Sequence, residues 1–156
     1  MNIGSGSGYP ESKLSNFAPN SFVIDGVECA SMEGFLQSLK FKNPAMQVEV
    51  CKLVGKAAKF KGKKKNHQWR KDQTLYWRGE AYKRNSIEYQ QLLDRAFDAL
   101  SENEGFRRAL LATCGANLSH SIGKHRQSET VLTEGEFISR LIRIRTRLEK
   151  EGTEHD

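Results

Sequence analysis

Apolar residues recur at helical spacing in five stretches of this chain, and a β-prone run closed by a turn pair occurs in one. The strongest periodicity lies in Ile87 to Leu100, where Tyr89, Leu92, Leu93, Ala96, Phe97 and Leu100 share one helix face. Asn85 and Ser86 stand ahead of it as capping residues. Glu104 to Cys114 repeats the pattern with Phe106, Leu110 and Leu111 inward and Gly115 as a C-terminal cap. Thr133 and Glu136 form a T-x-x-E capping box that opens a last helix, with Phe137, Ile138, Leu141, Ile142, Ile144 and Leu148 on a broad apolar face. Upstream, Ala45 to Val54 carries Met46, Val50, Leu53 and Val54 and is closed by Gly55. Ser31 to Phe41 predicts a short helix capped by Ser31, with Met32, Phe35, Leu36 and Leu39 facing a core and a stop near Asn43-Pro44. Phe22-Val23-Ile24, the turn pair Asp25-Gly26 and Val27-Glu28-Cys29 read as a hairpin. The pattern therefore predicts a mainly α protein: a single compact multihelical domain over residues 12–148 with a small N-terminal β-hairpin. Residues 1–11, rich in Gly and Ser, read as a flexible arm, and 149–156 as a frayed, charged tail.

Two stretches resist the pattern. Lys56 to Lys71 holds eight Lys/Arg residues and no acid, with His67 and Trp69 inside it. Such a run is either a solvated loop or an electrostatic rim for a phosphorylated or nucleic-acid partner. Trp69 either stacks on a base or anchors the segment to the core. Leu75-Tyr76-Trp77-Arg78-Gly79 is aromatic and of open geometry: Tyr76 and Trp77 plug the core, or Trp77 or Tyr82 walls a pocket for a flat base.

Composition narrows the classes. With 156 residues, 37% of them hydrophobic, the chain can bury a real core. No apolar run approaches the roughly 20 residues of a membrane span, and the first residues lack the apolar segment of a signal peptide. Cys29, Cys51 and Cys114 are too widely spaced for a zinc motif or disulfide framework, which favours reduced thiols in a cytoplasmic protein. No metal and no cofactor is expected, and the oligomeric state is open. The net charge of +6 favours a phosphorylated or polyanionic partner.

Candidate chemistry sits on the Ser31 helix. Glu33, Gln37 and Lys40, four and three residues apart, fall on one stripe opposite the apolar face. A carboxylate, an amide and an ammonium held on a packed helix can form a reactive site; the plainer reading is a solvated face with one Glu–Lys pair. The polar loop Leu118 to Gly123 offers His120 and Ser121, as a structural or a site element.

Ser15-Asn16-Phe17, then Asp25-Gly26, then Glu33 through Phe41, resemble in order and spacing the signature of the YbiA/NADAR family, whose pattern is S-N-F, a short strand with D-G, and E-H-Y-F-Q-A-x-K-F. A weaker similarity runs through Ala109 to Thr113 and Leu118 into the last helix. The resemblance implies a mainly helical single domain that cleaves N-glycosidic bonds. Substrates associated with the family are ADP-ribose conjugates and ribosylated riboflavin-pathway intermediates. The implied partner is a phosphorylated ribosyl or ADP-ribosyl small molecule, with ADP-ribosylated nucleic acid a further candidate. Glu33 and Lys40 are the expected catalytic pair. Ser15, Asn16, Phe17, Gln37, Trp77, His120 and Ser121 are the expected substrate-binding set. Lys40 can grip phosphate, assist the leaving group, or attack as an amine. The family's usual His and Tyr are Gly34 and Phe35 here, and its W-G-x-G segment is absent, which leaves bond type less affected than substrate choice. The competing readings are a non-catalytic nucleotide or nucleic-acid binding module and a catalytically silent ligand sensor.

Overall fold

The computed structural model describes the backbone of residues 1–155, with side chains through Gly152. The element order is α1 (Glu11–Leu14), β1 (Phe22–Ile24), β2 (Val27–Cys29), α2 (Met32–Ser38), α3 (Pro44–Cys51), α4 (Gly55–Lys63), α5 (Asn66–Asp72), β3 (Thr74–Trp77), β4 (Glu80–Lys83), α6 (Ile87–Leu100), α7 (Glu104–Leu111) and α8 (Glu134–His155). A single 3-10 turn over Gln127–Glu129 precedes α8. The mainly α fold is as the periodicity predicts, and among the described residues no helix is long and apolar enough to cross a membrane.

The helix starts follow from capping chemistry. Ser31 Oγ accepts from the Gly34 amide at 3.0 Å and Ser86 Oγ from the Tyr89 amide at 3.1 Å. At α8 the capping box closes both ways: the Thr133 amide donates to Glu136 Oε1 at 2.8 Å, and the Glu136 amide to Thr133 Oγ1 at 3.1 Å. The apolar faces meet in one core containing Phe35, Leu39, Leu75, Tyr89, Phe97, Phe106, Phe137 and Leu141. Burying one such aliphatic or aromatic side chain contributes roughly 1.5–3 kcal/mol. Packed against α3, α4 and β2, helix α2 is held on several sides.

The structure corrects several expectations. A second antiparallel hairpin, β3–β4, follows the basic run, with Leu75 opposite Tyr82 and Trp77 opposite Glu80. Its turn is Arg78-Gly79, with φ of 49° and 90°, so an arginine occupies a left-handed position more often given to Asn or Asp. The basic run is helical, not a loop: Ala58, Gly62 and Trp69 are its buried face, small enough to hide the periodicity. Helix α3 ends at Cys51, and Gly55, with φ of 53°, starts α4 instead of closing α3. Within residues 1–11, Ile3 is fully buried, its amide donates to Ser119 O at 2.7 Å, and Asn2 forms a parallel bridge with Ser119, while Ser5, Gly6, Gly8 and Tyr9 are exposed. In the tail, helix α8 continues to His155, and Asp156 lies outside the described residues.

Candidate active site

Helix α2 places Glu33 and Gln37, and the turn that ends it places Lys40, on the floor of a cleft of about 400 Å³. The Gln37 amide donates to Glu33 Oε1 at 2.8 Å, one helical turn back. Lys40 Nζ donates to Asn66 Oδ1 at 2.6 Å, across to the start of α5. Burial raises the Glu33 carboxyl above its ordinary range, against the pull of Gln37 and the charges of Lys40 and Lys59. Burial likewise lowers Lys40, to about 8, against the attraction of Glu33 and with help from Arg70, Lys124 and Lys59. The stripe is therefore buried and not the solvated face of the plainer reading, and groups shifted in this way are candidates for acid–base roles.

The Ser15-Asn16-Phe17 segment forms one wall. Its backbone is tied to α2, since the Glu33 amide donates to Asn16 O at 3.0 Å, and Ser15 Oγ accepts from the Phe17 amide at 3.2 Å. His120 closes the opposite side, edge-on to the Phe137 ring at 5.1 Å between centroids. Seven of the nine expected site residues thus meet in one cleft: Ser15, Asn16, Phe17, Glu33, Gln37, Lys40 and His120.

Two do not. Trp77 is 2% exposed, packs edge-on to Phe35 at 5.0 Å and spends its indole N–H on Asp25 Oδ2 at 2.8 Å, so it is a core plug joining the two hairpins. Ser121 turns away from the cleft to Asn2: its amide donates to Asn2 Oδ1 and its hydroxyl accepts from Asn2 Nδ2, each at 2.9 Å.

The cleft has a basic mouth drawn from the Lys56–Lys71 run, read above as a solvated loop or an electrostatic rim, and from Lys124, which the sequence did not single out. Lys59, Lys63 and Arg70 from α4 and α5, with Lys124, line it beside Asn66. Residues 59, 63, 66 and 70 repeat at spacings of four, three and four, the signal that placed residues 33, 37 and 40 on one stripe. Trp69 is buried in the same wall, and its Nε1 has no protein partner. Gly34 faces away from the cleft. A Cβ there would lie 2.5 Å from Leu53 O and 3.1 Å from Cys51 O, so this backbone has no room for the histidine of the resembled pattern.

A roomier groove of about 810 Å³ runs elsewhere, along β1, β2 and the end of α6. Its charged side chains, Glu28, Lys52 and Glu102, are all exposed, and Lys52 pairs with Glu49 on its own helix. The buried carboxyl and amine, Glu33 and Lys40, line the smaller cleft instead.

Comparison with known proteins agrees with this architecture. The solved NMR structure of the E. coli protein YbiA superposes with a TM-score of 0.64, covering 100% of this chain and 88% of that one at 20% identity, which is a likeness of fold. A 17.1 kDa protein of the Gp30–rIII intergenic region of Enterobacteria phage T4 is 39% identical over 151 residues, spanning 95% of this chain and 98% of the phage protein. The family described as bacteriophage protein GP30.3 matches residues 8–146, and the chain belongs to that family.

Proposed function

We propose that the protein is a hydrolase of N-glycosidic bonds, acting on a phosphorylated ribosyl substrate such as an ADP-ribose conjugate of a nucleobase. The observation that carries this reading is the buried Glu33–Gln37–Lys40 stripe at the floor of a cleft with a basic mouth. The YbiA-like fold and the S-N-F and E-x-x-x-Q-x-x-K motifs support it.

The chemistry follows from charge. Breaking the bond leaves positive charge on the anomeric carbon and an electron pair on the departing base nitrogen. The Glu33 carboxylate faces the sugar cation and takes one proton from the attacking water, whose oxygen bonds to the anomeric carbon. Lys40, an ammonium already brought down to about 8, gives a proton to the leaving nitrogen. Proton return from Glu33 through solvent resets the pair. Gln37 fixes the carboxylate, and Lys59, Lys63, Arg70 and Lys124 receive phosphate oxygens at the mouth. We place the reaction in the cytoplasm, consistent with three free cysteines.

The basic mouth also favours a second reading, a non-catalytic nucleotide or nucleic-acid binding module. A screen of ADP-ribosylated nucleobases, NAD and riboflavin-pathway intermediates for released base decides between them. Release by the parent and about a 10²- to 10⁴-fold loss in Glu33→Gln, with binding kept, is the expected result. Salt-sensitive binding that survives Glu33→Ala, with no turnover of any conjugate, establishes the binding module instead.

A further inference from the structure

Residues 1–3 clasp the loop that brings His120 to the cleft. The Met1 ammonium donates to Asn117 O at 2.6 Å, the Ser119 amide to Met1 O at 2.9 Å and the Ile3 amide to Ser119 O at 2.7 Å. Asn2 grips Ser121 through two further bonds, and Ile3 is buried in the core as the anchor of the clasp. From the other side the His120 amide donates to Glu134 Oε1 at 3.2 Å, at the start of α8. The clasp ends on the imidazole itself, where His120 Nδ1 lies 2.8 Å from Ile3 O. A carbonyl oxygen only accepts, so Nδ1 carries the proton, and in the neutral ring Nε2 is left with its lone pair. Phe137 holds the ring edge-on, and no described protein group bonds Nε2.

We infer that His120 Nε2, set in this tautomer by the Ile3 carbonyl, is the second acceptor for the attacking water, and that the amino-terminal segment is a working part of the active site. The inference rests on the hydrolase reading above. His120 and Glu33 both line the cleft, with His120 on the wall opposite Ser15-Asn16-Phe17. A water donating one hydrogen to the Glu33 carboxylate and the other to Nε2 has both hydrogens committed and turns its oxygen lone pair to the anomeric carbon. As the carbon–oxygen bond forms, the first hydrogen passes to Glu33 as a proton. The second stays on the new sugar hydroxyl, still bonded to Nε2. Ile3 is a positioning residue that acts through its backbone carbonyl.

Long-range ¹H–¹⁵N spectra of the parent test the tautomer directly: a protonated Nδ1 and a bare Nε2 are expected, and the reverse assignment overturns the inference. His120→Asn tests the role. An asparagine amide can still donate toward Ile3 O but has nothing in place of Nε2. With an ADP-ribosylated nucleobase as probe, kcat is expected to fall about 10²-fold with KM within about twofold, while the Ile3 and Ser119 amides stay protected from hydrogen exchange. Deleting residues 1–3 is expected to mix the tautomers and lower kcat similarly. If that deletion does not fold, His120→Asn decides alone. A parent that turns over, a silent Glu33→Gln and a His120→Asn within a few-fold of the parent overturn this inference and leave the hydrolase reading standing. A parent that releases no base from any conjugate removes both.

Discussion

Lys40 Nζ and Asn66 Oδ1, 2.6 Å apart, join the polar stripe that α2 begins to the basic segment that follows it. The bond makes the Lys56–Lys71 run part of the site, because Asn66 opens α5 and Arg70 lies one turn further along the same helix. Asn66→Ala removes the acceptor that aims the ammonium. A hydrogen bond to a charged group is worth about 1.5–3 kcal/mol, so base release is expected to drop about 10- to 100-fold. The stability of the fold should change far less, since Asn66 is only half-buried. Rate and urea midpoint measured side by side check both halves.

Gly62 controls Gln37. A Cβ at Gly62 would lie 1.7 Å from Gln37 Oε1 and 2.7 Å from its Cδ. Gly62→Ala gains about 0.8–1.0 kcal/mol of helix propensity, yet it must drive the Gln37 amide off Glu33. Turnover is expected to fall about tenfold or more, with the melting temperature within a few degrees of the parent. Unchanged turnover would show that Gln37 has another way to hold the carboxylate.

Much of this was legible in the sequence. Helix α6 follows its periodicity residue for residue, and the α8 capping box forms as its T-x-x-E spacing requires. The stripe at residues 33, 37 and 40 was legible because large apolar residues mark the opposite face of α2. Helices α4 and α5 were obscured because their buried face is Ala58, Gly62 and Trp69, and two of those three carry almost no hydrophobic signal. The docking of Ile3 beside Ser119, over a hundred residues away in sequence, is a tertiary contact that no local pattern carries. Trp77 shows the same limit: an aromatic residue suits a core and a base pocket equally, and only its bond to Asp25 decides.

Arg84 and Glu136 form a buried pair that holds the rear of the cleft wall. Arg84 Nη1 donates to Glu136 Oε2 at 3.0 Å, and Arg84 Nε to Thr130 O at 2.8 Å. Burial alone would raise the Glu136 carboxyl, but the Arg84 guanidinium, the Thr133 amide and Gln90 outweigh it and leave it lowered. A lowered carboxylate stabilises the fold above its unfolded value, and that stability is lost as pH falls through the folded one. Unfolding free energy is therefore expected to decline in acid in the parent. Glu136→Ala leaves Arg84 buried without its carboxylate and should cost about 3–5 kcal/mol near neutral pH. Urea titrations across pH check both statements; a Glu136→Ala loss that persists in full at low pH would contradict the linkage.

The pH profile of base release separates the roles of Glu33 and Lys40. Glu33 must be ionised to face a sugar cation, and burial raises its carboxyl, so the rate should climb with pH as that proton leaves. Lys40 must be protonated to serve the leaving nitrogen, and burial brings it down to about 8, so the rate should fall as pH passes that point. Ascending and descending limbs then belong to Glu33 in the first turn of α2 and to Lys40 in the turn that follows it. Lys40→Arg decides what the ammonium does. Arginine keeps its charge throughout this range and gives up no proton. If Lys40 is the acid, Lys40→Arg is slow at every pH and has no limb near 8. A Lys40→Arg variant that keeps the parent rate while losing the fall above 8 would assign Lys40 to holding substrate charge, with the leaving nitrogen taking its proton from water.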